Sequence, residues 1–313
     1  VEFTVNTVNF STRKFSWNTT LTLSHNKNSV KALTGEAVQL YEAKFGFNQN
    51  THRIAVGEPL GQFYGYITEG LYQVDDFNYD ASTQTYTLKD GVPYHGDKGQ
   101  IRPGMWKFKN LTGDDNVIDE NDKTVIGNAQ PKFYGGLNNS FTYKGFDLSI
   151  FLTFSYGNEV LNATKLVTSK VGSLNYNALD VMNSSNRWMT INTEGEKVTD
   201  PGELAVLNAG KTVAVYHDAQ QGDNYIHSWA VEDASYLKLS NVTLGYTFPK
   251  NLIARVGLKN LRLYATGNNL LTWTKYSGFD PEVSTMKSGL TPGVDFGAYP
   301  LSRSFIFGLN VAF

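Results

Sequence analysis

Oxygen donors of the kind that hold calcium are densest in LTGDDNVIDENDKTVIG, residues 111–127 of the 313-residue chain. Calcium loops place oxygen ligands at alternate positions and close the ring with a carboxylate. Asp114, Asp119 and Asp122 are the candidate ligands on that pattern. The stretch matches only half of such a loop. Thr112 stands where an acidic or amide ligand is expected, and Asp115-Asn116 replaces the turn glycine with one residue too many. Two readings stay open: a bound Ca2+, or an acidic turn held by side-chain to backbone hydrogen bonds.

Little else suggests chemistry. The chain has no cysteine, which removes disulfides, thiolate catalysis and thiolate metal sites. Its histidines, at 25, 52, 95, 217 and 227, are scattered, and neither HExxH nor GxSxG occurs. Carboxylates are plentiful, but no spacing singles out a hydrolytic pair. No enzymatic activity is expected. A formal net charge of -2 argues against nucleic acid as a partner. Ligand contact is expected from loop aromatics, with Tyr64, Tyr66, Trp188, Tyr225 and Trp229 able to stack on sugars or peptides. The competing reading packs them within loops or against a protein partner.

The elements that would position these residues are strands. FYGGLNNSFTYKGFDLSIFLTFSY, Phe133 to Tyr156, reads as a hairpin about Lys144-Gly145. Placing Tyr143 opposite Phe146 puts Phe141/Leu148, Leu137/Leu152 and Phe133/Tyr156 on one face. Ser140/Ser149 and Thr142/Asp147 fall on the other, with Asn139 and Phe151 as exceptions. Each arm has about 11 residues, the length of a tilted membrane strand. Further strands are expected at Glu2–Asn9, Phe15–His25, Tyr236–Phe248, Leu261–Trp273 and Ser304–Phe313, with a bulge between Leu239 and Val242. Phe63–Tyr72 and Met105–Leu111 read as strands of a long first excursion, and Val160–Leu174 as a helix.

Connections alternate in length. Ser11–Lys14, Lys144-Gly145 and Pro249–Lys259 are short, whereas Asn26–Pro131, Gly157–Asp233 and Lys275–Leu301 are long. Outer-membrane barrels have short periplasmic turns and long outside loops. The preferred count is seven barrel strands, or nine if Phe63–Tyr72 and Met105–Leu111 also cross. Both counts are odd, whereas single-chain bacterial barrels are even, so an incomplete barrel is expected. Tyr143, Phe146, Phe248 and Phe313 would form an interfacial girdle at the short-turn rim. No apolar run is long enough for a spanning helix, and the N-terminus lacks the charge and apolar pattern of a signal peptide. A complete passive porin and a soluble carbohydrate-binding β-sandwich share this alternation and remain as alternatives.

GDDNVIDENDKTVIGNAQPKFYGGLNNSFTYKGFDLSIFLTFSYGNEV resembles the shared segment of SusC/RagA-type TonB-dependent transporters. FSWNTTLTLSHNKNSV, PLGQFYGYITEGLYQ, VEDASYLKLSNVTLGYTFP, LRLYATGNNLLTWTKYSGFDPE and GVDFGAYPLSRSFIFGLNVAF match in the family's order. The resemblance implies that residues 1–313 are all-β, the C-terminal portion (7–9 strands) of a 22-stranded antiparallel transmembrane β-barrel with long extracellular loops. It implies an outer-membrane nutrient importer of a Gram-negative, Bacteroidetes-type bacterium, taking up oligosaccharides or peptides. The implied partners are a SusD-like surface lipoprotein, TonB through a missing N-terminal part, and the missing plug and early strands. The departures within the acidic loop put any family cation there in doubt.

Overall fold

The computed structural model describes residues 1–43, 49–113, 115–169, 177–215, 225–285 and 288–313. Seven long strands form one antiparallel sheet in simple up-and-down order. They are β1 (Glu2–Ser11), β2 (Phe15–Ser24), β3 (Phe133–Tyr143), β4 (Phe146–Tyr156), β5 (Tyr236–Thr247), β6 (Asn260–Thr274) and β7 (Ser304–Ala312). The β3–β4 hairpin has the register expected from its alternation: Phe133↔Tyr156, Leu137↔Leu152, Phe141↔Leu148 and Tyr143↔Phe146. Lys144 at φ 45 and Gly145 at φ 89 give both turn residues the positive φ of a type I′ turn. A Cβ on Gly145 would sit 2.7 Å from the Thr247 carbonyl oxygen, so glycine also lets β5 approach. The expected bulge lies between Leu239 and Asn241 on β5. It absorbs the phase change and keeps Val242 and Leu239 on the same side.

Period-two alternation is carried in register across the whole sheet. One apolar row runs Val5–Leu21–Leu137–Leu152–Leu239–Leu271 and another Trp17–Phe141–Leu148–Leu244–Ala265–Phe307. The opposite face carries Asn6–Thr20–Asn138–Phe151–Asn241–Asn268–Ser304. Beside it runs Asn18–Ser140–Ser149–Thr243–Thr266. Asn139, with its row neighbours Thr19 and Thr7, interrupts the apolar side; its side-chain carbonyl accepts hydrogen bonds from Trp17 and Thr19.

The apolar face packs on nothing among the described residues. Phe305, Phe307 and Leu309 are 67, 81 and 57% exposed. A soluble protein does not leave a continuous apolar sheet face of this size bare, whereas a membrane barrel presents one to lipid.

The hydrophobic core lies elsewhere. None of the buried clusters draws a residue from β1–β7; all are built from the three long connections. Those connections lock to one another pairwise. Tyr66 donates its N–H to the Ile226 carbonyl, and Ser228 returns one to Tyr66, joining the first to the second. Leu161 pairs with Val294, and Glu232 takes the Ser277 N–H and hydroxyl, joining the second to the third. His52 donates to the Pro292 carbonyl at 2.9 Å, joining the first to the third. The long loops therefore make one packed body at one end of the wall.

Two expectations change. Phe63–Tyr72 is not one strand: Gln62–Gly65 and Thr68–Leu71 join different small sheets. The break falls where Tyr66 turns to bridge His227. Trp106–Phe108 pairs with Thr68–Leu71 rather than with the wall, so the wall has seven strands and not nine. The helix expected over Val160–Leu174 shrinks to Ala163–Thr168, capped by the Asn162 side chain on the Lys165 N–H. Glu159–Asn162 is instead a strand, with Leu161 paired to Val231 and Val294, and residues 170–176 lie outside the described residues.

The two faces make opposite demands on charge. In the intact barrel, Leu152→Arg should lower folding stability in vesicles by about 2–4 kcal/mol, the cost of a cation near the bilayer midplane. Ser149→Arg, on the polar face of the same strand, should shift the folding midpoint by less than about 1 kcal/mol. Equal effects would contradict the assignment of faces.

Candidate functional site

Alternation on β5 sends Tyr236 and Lys238 to the polar face at the end where the loop body sits. Tyr134 and Ser155 reach the same patch from β3 and β4. The third long connection then supplies Glu282. It accepts the Tyr236 hydroxyl at 2.6 Å and pairs with the Lys238 ammonium at 2.5 Å. Tyr134, Ser155, Tyr236 and Glu282, with Asn158 and Pro292, line a cavity of about 380 Å3, and Lys238 holds Glu282 from behind that lining. Phenol faces, amides and a neutralised ion pair suit reversible binding of a polar solute. No residue there is placed as a nucleophile with its base. Tyr236 and Lys238 are legible as one face of a strand. Glu282 could not be read from sequence, because 44 residues separate it from Lys238 and only the fold joins them.

Toward the short-turn end, the same face carries a second fixed charge pair. Asp147 on β4 binds Arg262 on β6 through two bonds, 3.0 and 2.5 Å, passing over Gly245 on β5. A Cβ on Gly245 would fall 2.4 Å from an Arg262 nitrogen, so the glycine makes the three-strand bridge possible. Arg262 also lies 5.1 Å from the centroid of the Tyr264 ring.

The aromatic candidates divide. Tyr66 and Trp188 are 3 and 1% exposed and belong to the core of the loop body, so neither offers a face to a ligand. Tyr66 stacks on Phe108 at 5.2 Å, and burial holds its phenol above the usual range, followed by the nearby Glu120 charge. Trp188 fills the space that Gly104 leaves open at φ +86. Tyr225 and Trp229 are half-buried against the same cluster, and Trp229 also receives Lys165 at 4.0 Å. Tyr64 lines a cleft of about 790 Å3 with Leu40, Tyr41 and Arg53. For Tyr66 and Trp188 the competing reading of the sequence, packing within the loops, is the one the structure bears out.

In the acidic loop, Asp122 is fully buried. One oxygen accepts from the Leu111 and Thr112 N–H groups at 2.6 and 2.8 Å; the other accepts from the Asp119 N–H at 2.8 Å. Burial pushes its carboxyl up, but the amides of Asp119, Leu111 and Thr112 outweigh this and hold it below the usual carboxylate range. Asp119 caps the following turn through the Asn121 N–H. Asp114 lies outside the described residues. Among the described residues, no three His, Cys, Asp or Glu side chains gather around a common point for a metal ion.

Two buried histidines sit inside the loop body. Burial lowers His52 to about 4, with its bond to Pro292 pulling the other way. Burial, then the Lys165 charge and His95, lower His227 to about 3.

No family model matches the chain. It is 34% identical to TonB-dependent receptor P3 of Formosa agariphila over all of this chain and 28% of that protein. It is 28% identical to TonB-dependent receptor SusC of Bacteroides thetaiotaomicron, over all of this chain and 26% of that one. Among solved structures, the RagAB peptide importer in its open-open state superposes with a TM-score of 0.67 at 18% identity. The match covers 100% of this chain and 28% of that one. The chain thus spans about 28% of the length of such relatives.

Asp122→Asn should weaken the loop body by about 1–3 kcal/mol, because an amide cannot accept all of these bonds. Calcium chelation should leave the melting temperature unchanged; a chelator-sensitive melt would instead reveal a cation. The histidines add a pH dependence. Their folded values lie below the ordinary 6.5, so their contribution is complete above pH 6.5 and is lost as pH falls toward about 4. For His52 this amounts to about 3 kcal/mol. Hydrogen exchange corrected for its intrinsic rate should show residues 49–72 and 225–235 loosening over that window before the wall does.

Proposed function

We propose that the chain, as a member of the SusC/RagA-type TonB-dependent transporters, forms seven staves of a nutrient-importing barrel in the outer membrane of a Gram-negative bacterium. The observation that carries this is the wall itself. Seven strands in register hold apolar residues on one side and hydrogen-bonding residues on the other, and among the described residues the core lies in the long loops. Strands β1 and β7 each have one neighbour in the sheet. A bare strand edge is not tolerated in hydrocarbon, so both edges pair with further strands of the same 22-stranded barrel. A plug fills the lumen, and TonB couples transport to energy from the inner membrane.

The imported solute is an oligosaccharide or a peptide, delivered with a SusD-like lipoprotein on the outer surface. Peptide is favoured by the likeness to a peptide importer and by the paired Lys238 and Glu282 at the mouth of the polar face. The chain binds and passes the solute without covalent chemistry.

Uptake by intact cells separates this reading from a passive porin. A protonophore should abolish uptake by cells carrying the full transporter, and the transporter should co-purify with a lipoprotein. Uptake that continues without the proton gradient would identify a pore instead.

A further inference from the structure

A second cleft, of about 600 Å3, opens where the wall meets the loop body. It adjoins the cavity on the polar face, sharing Pro131 and Glu159 with it. That cavity is lined by Tyr134, Ser155 and Tyr236, which share the polar register. The second cleft is lined by Tyr156, paired with Phe133 on the apolar side, and by His25, which continues the alternation of Leu21 and Leu23. Through Tyr156 and His25 it opens toward the lipid side of the wall, at the long-loop rim. The stacked rings of Phe133 and Tyr156, 4.9 Å apart, mark the upper edge of the apolar band there.

Three basic side chains reach this cleft: His25, Lys27 and Lys132. Lys27 and Lys132 form no ion pair with a described residue. Their placement is fixed by the fold. His25 Nδ1 donates to the Lys132 carbonyl at 2.5 Å, which ties the end of β2 to the start of β3. The Lys132 stem crosses Gly157, where a Cβ would lie 2.8 Å from Cγ and Cδ. Two carboxylates also line the cleft, each anchored by a backbone N–H. Glu159 accepts the Asn128 N–H at 2.7 Å, and Asp233 accepts the Ser235 N–H at 2.9 Å. The Lys27 and Lys132 ammonium groups are the charged groups of the cleft that form no ion pair with a described residue.

We propose that this cleft binds the phosphate of an outer-leaflet lipid headgroup. Lys27 and Lys132 are its charge partners, and Tyr156 lies at the boundary between headgroup and acyl chains. The depth of the cleft is what selects a lipid: an anion at the rim of the apolar band belongs to the leaflet. The proposal rests on the membrane reading of the wall.

The test uses the intact transporter, purified as wild type and as Lys27→Gln/Lys132→Gln. Binding of bisphosphorylated lipid A, its dephosphorylated form and inorganic phosphate is measured by native mass spectrometry and thermal shift. Wild type should retain bisphosphorylated lipid A, and the double variant should bind it roughly thirtyfold more weakly, the loss of two lysine contacts. The dephosphorylated lipid should bind no better than it does to the variant, and millimolar phosphate should not compete. Equal affinity of wild type and variant, or equal binding of the two lipids, overturns the proposal. Displacement by inorganic phosphate assigns the cleft to a free anion and also overturns it. Heat-modifiable gel migration of both proteins reports barrel integrity separately, so a wild type that does not behave as a barrel fails the membrane reading and not the lipid site.

Discussion

Side chains on a strand point alternately to opposite faces, and in this protein that rule is kept in step across seven strands. A slip of one residue at any pair would send leucines to the polar face and asparagines to the lipid. The register is therefore the constraint on which the rest depends. It is secured by the tight Lys144-Gly145 turn, by the β5 bulge that restores phase, and by glycines that let neighbours cross. The Asp147–Arg262 bridge over Gly245 is one product of this arrangement, joining alternate strands without a clash.

The wall and the loop body are stabilised by different physics. The wall holds its strands by backbone ladders and leaves its apolar side chains to hydrocarbon. The loop body behaves like a small water-soluble domain, with its own buried aromatics and the Lys165–Glu232 ion pair taken out of water. An ion pair so buried needs further partners. Glu232 finds them in the Ser277 hydroxyl and N–H, and Lys165 in the Trp229 carbonyl and ring. The polar cavity forms where the two parts meet, as Glu282 descends onto Tyr236 and Lys238.

The wall was legible in the sequence because period two is a local signal that repeats. Residues 133–156 alone specify their pairing, and Leu239–Val242 shows its bulge as a change of phase. The loop body was not. Its strands are mostly two to six residues long, too short to display a period, and its partners are distant. Ile226 meets Gly65, and Pro292 meets His52, only after the barrel brings the loop roots together. The two readings of the aromatic candidates stayed open for the same reason: an aromatic side chain that fills a core and one that stacks on a sugar look alike in sequence, and burial separates Tyr66 and Trp188 from Tyr64. Asp122 belongs with them, since only the folded loop shows its oxygens turned to amides.

Because each long connection is bonded to both of the others, the loop body is a closed circuit and not three separate flaps. Severing one peptide bond in it breaks a covalent path but not the circuit. The two halves of a nicked molecule would stay clasped by the remaining contacts above and by the strand ladders below. The loop body thus carries its own splint, and a cut in one connection need not part the wall.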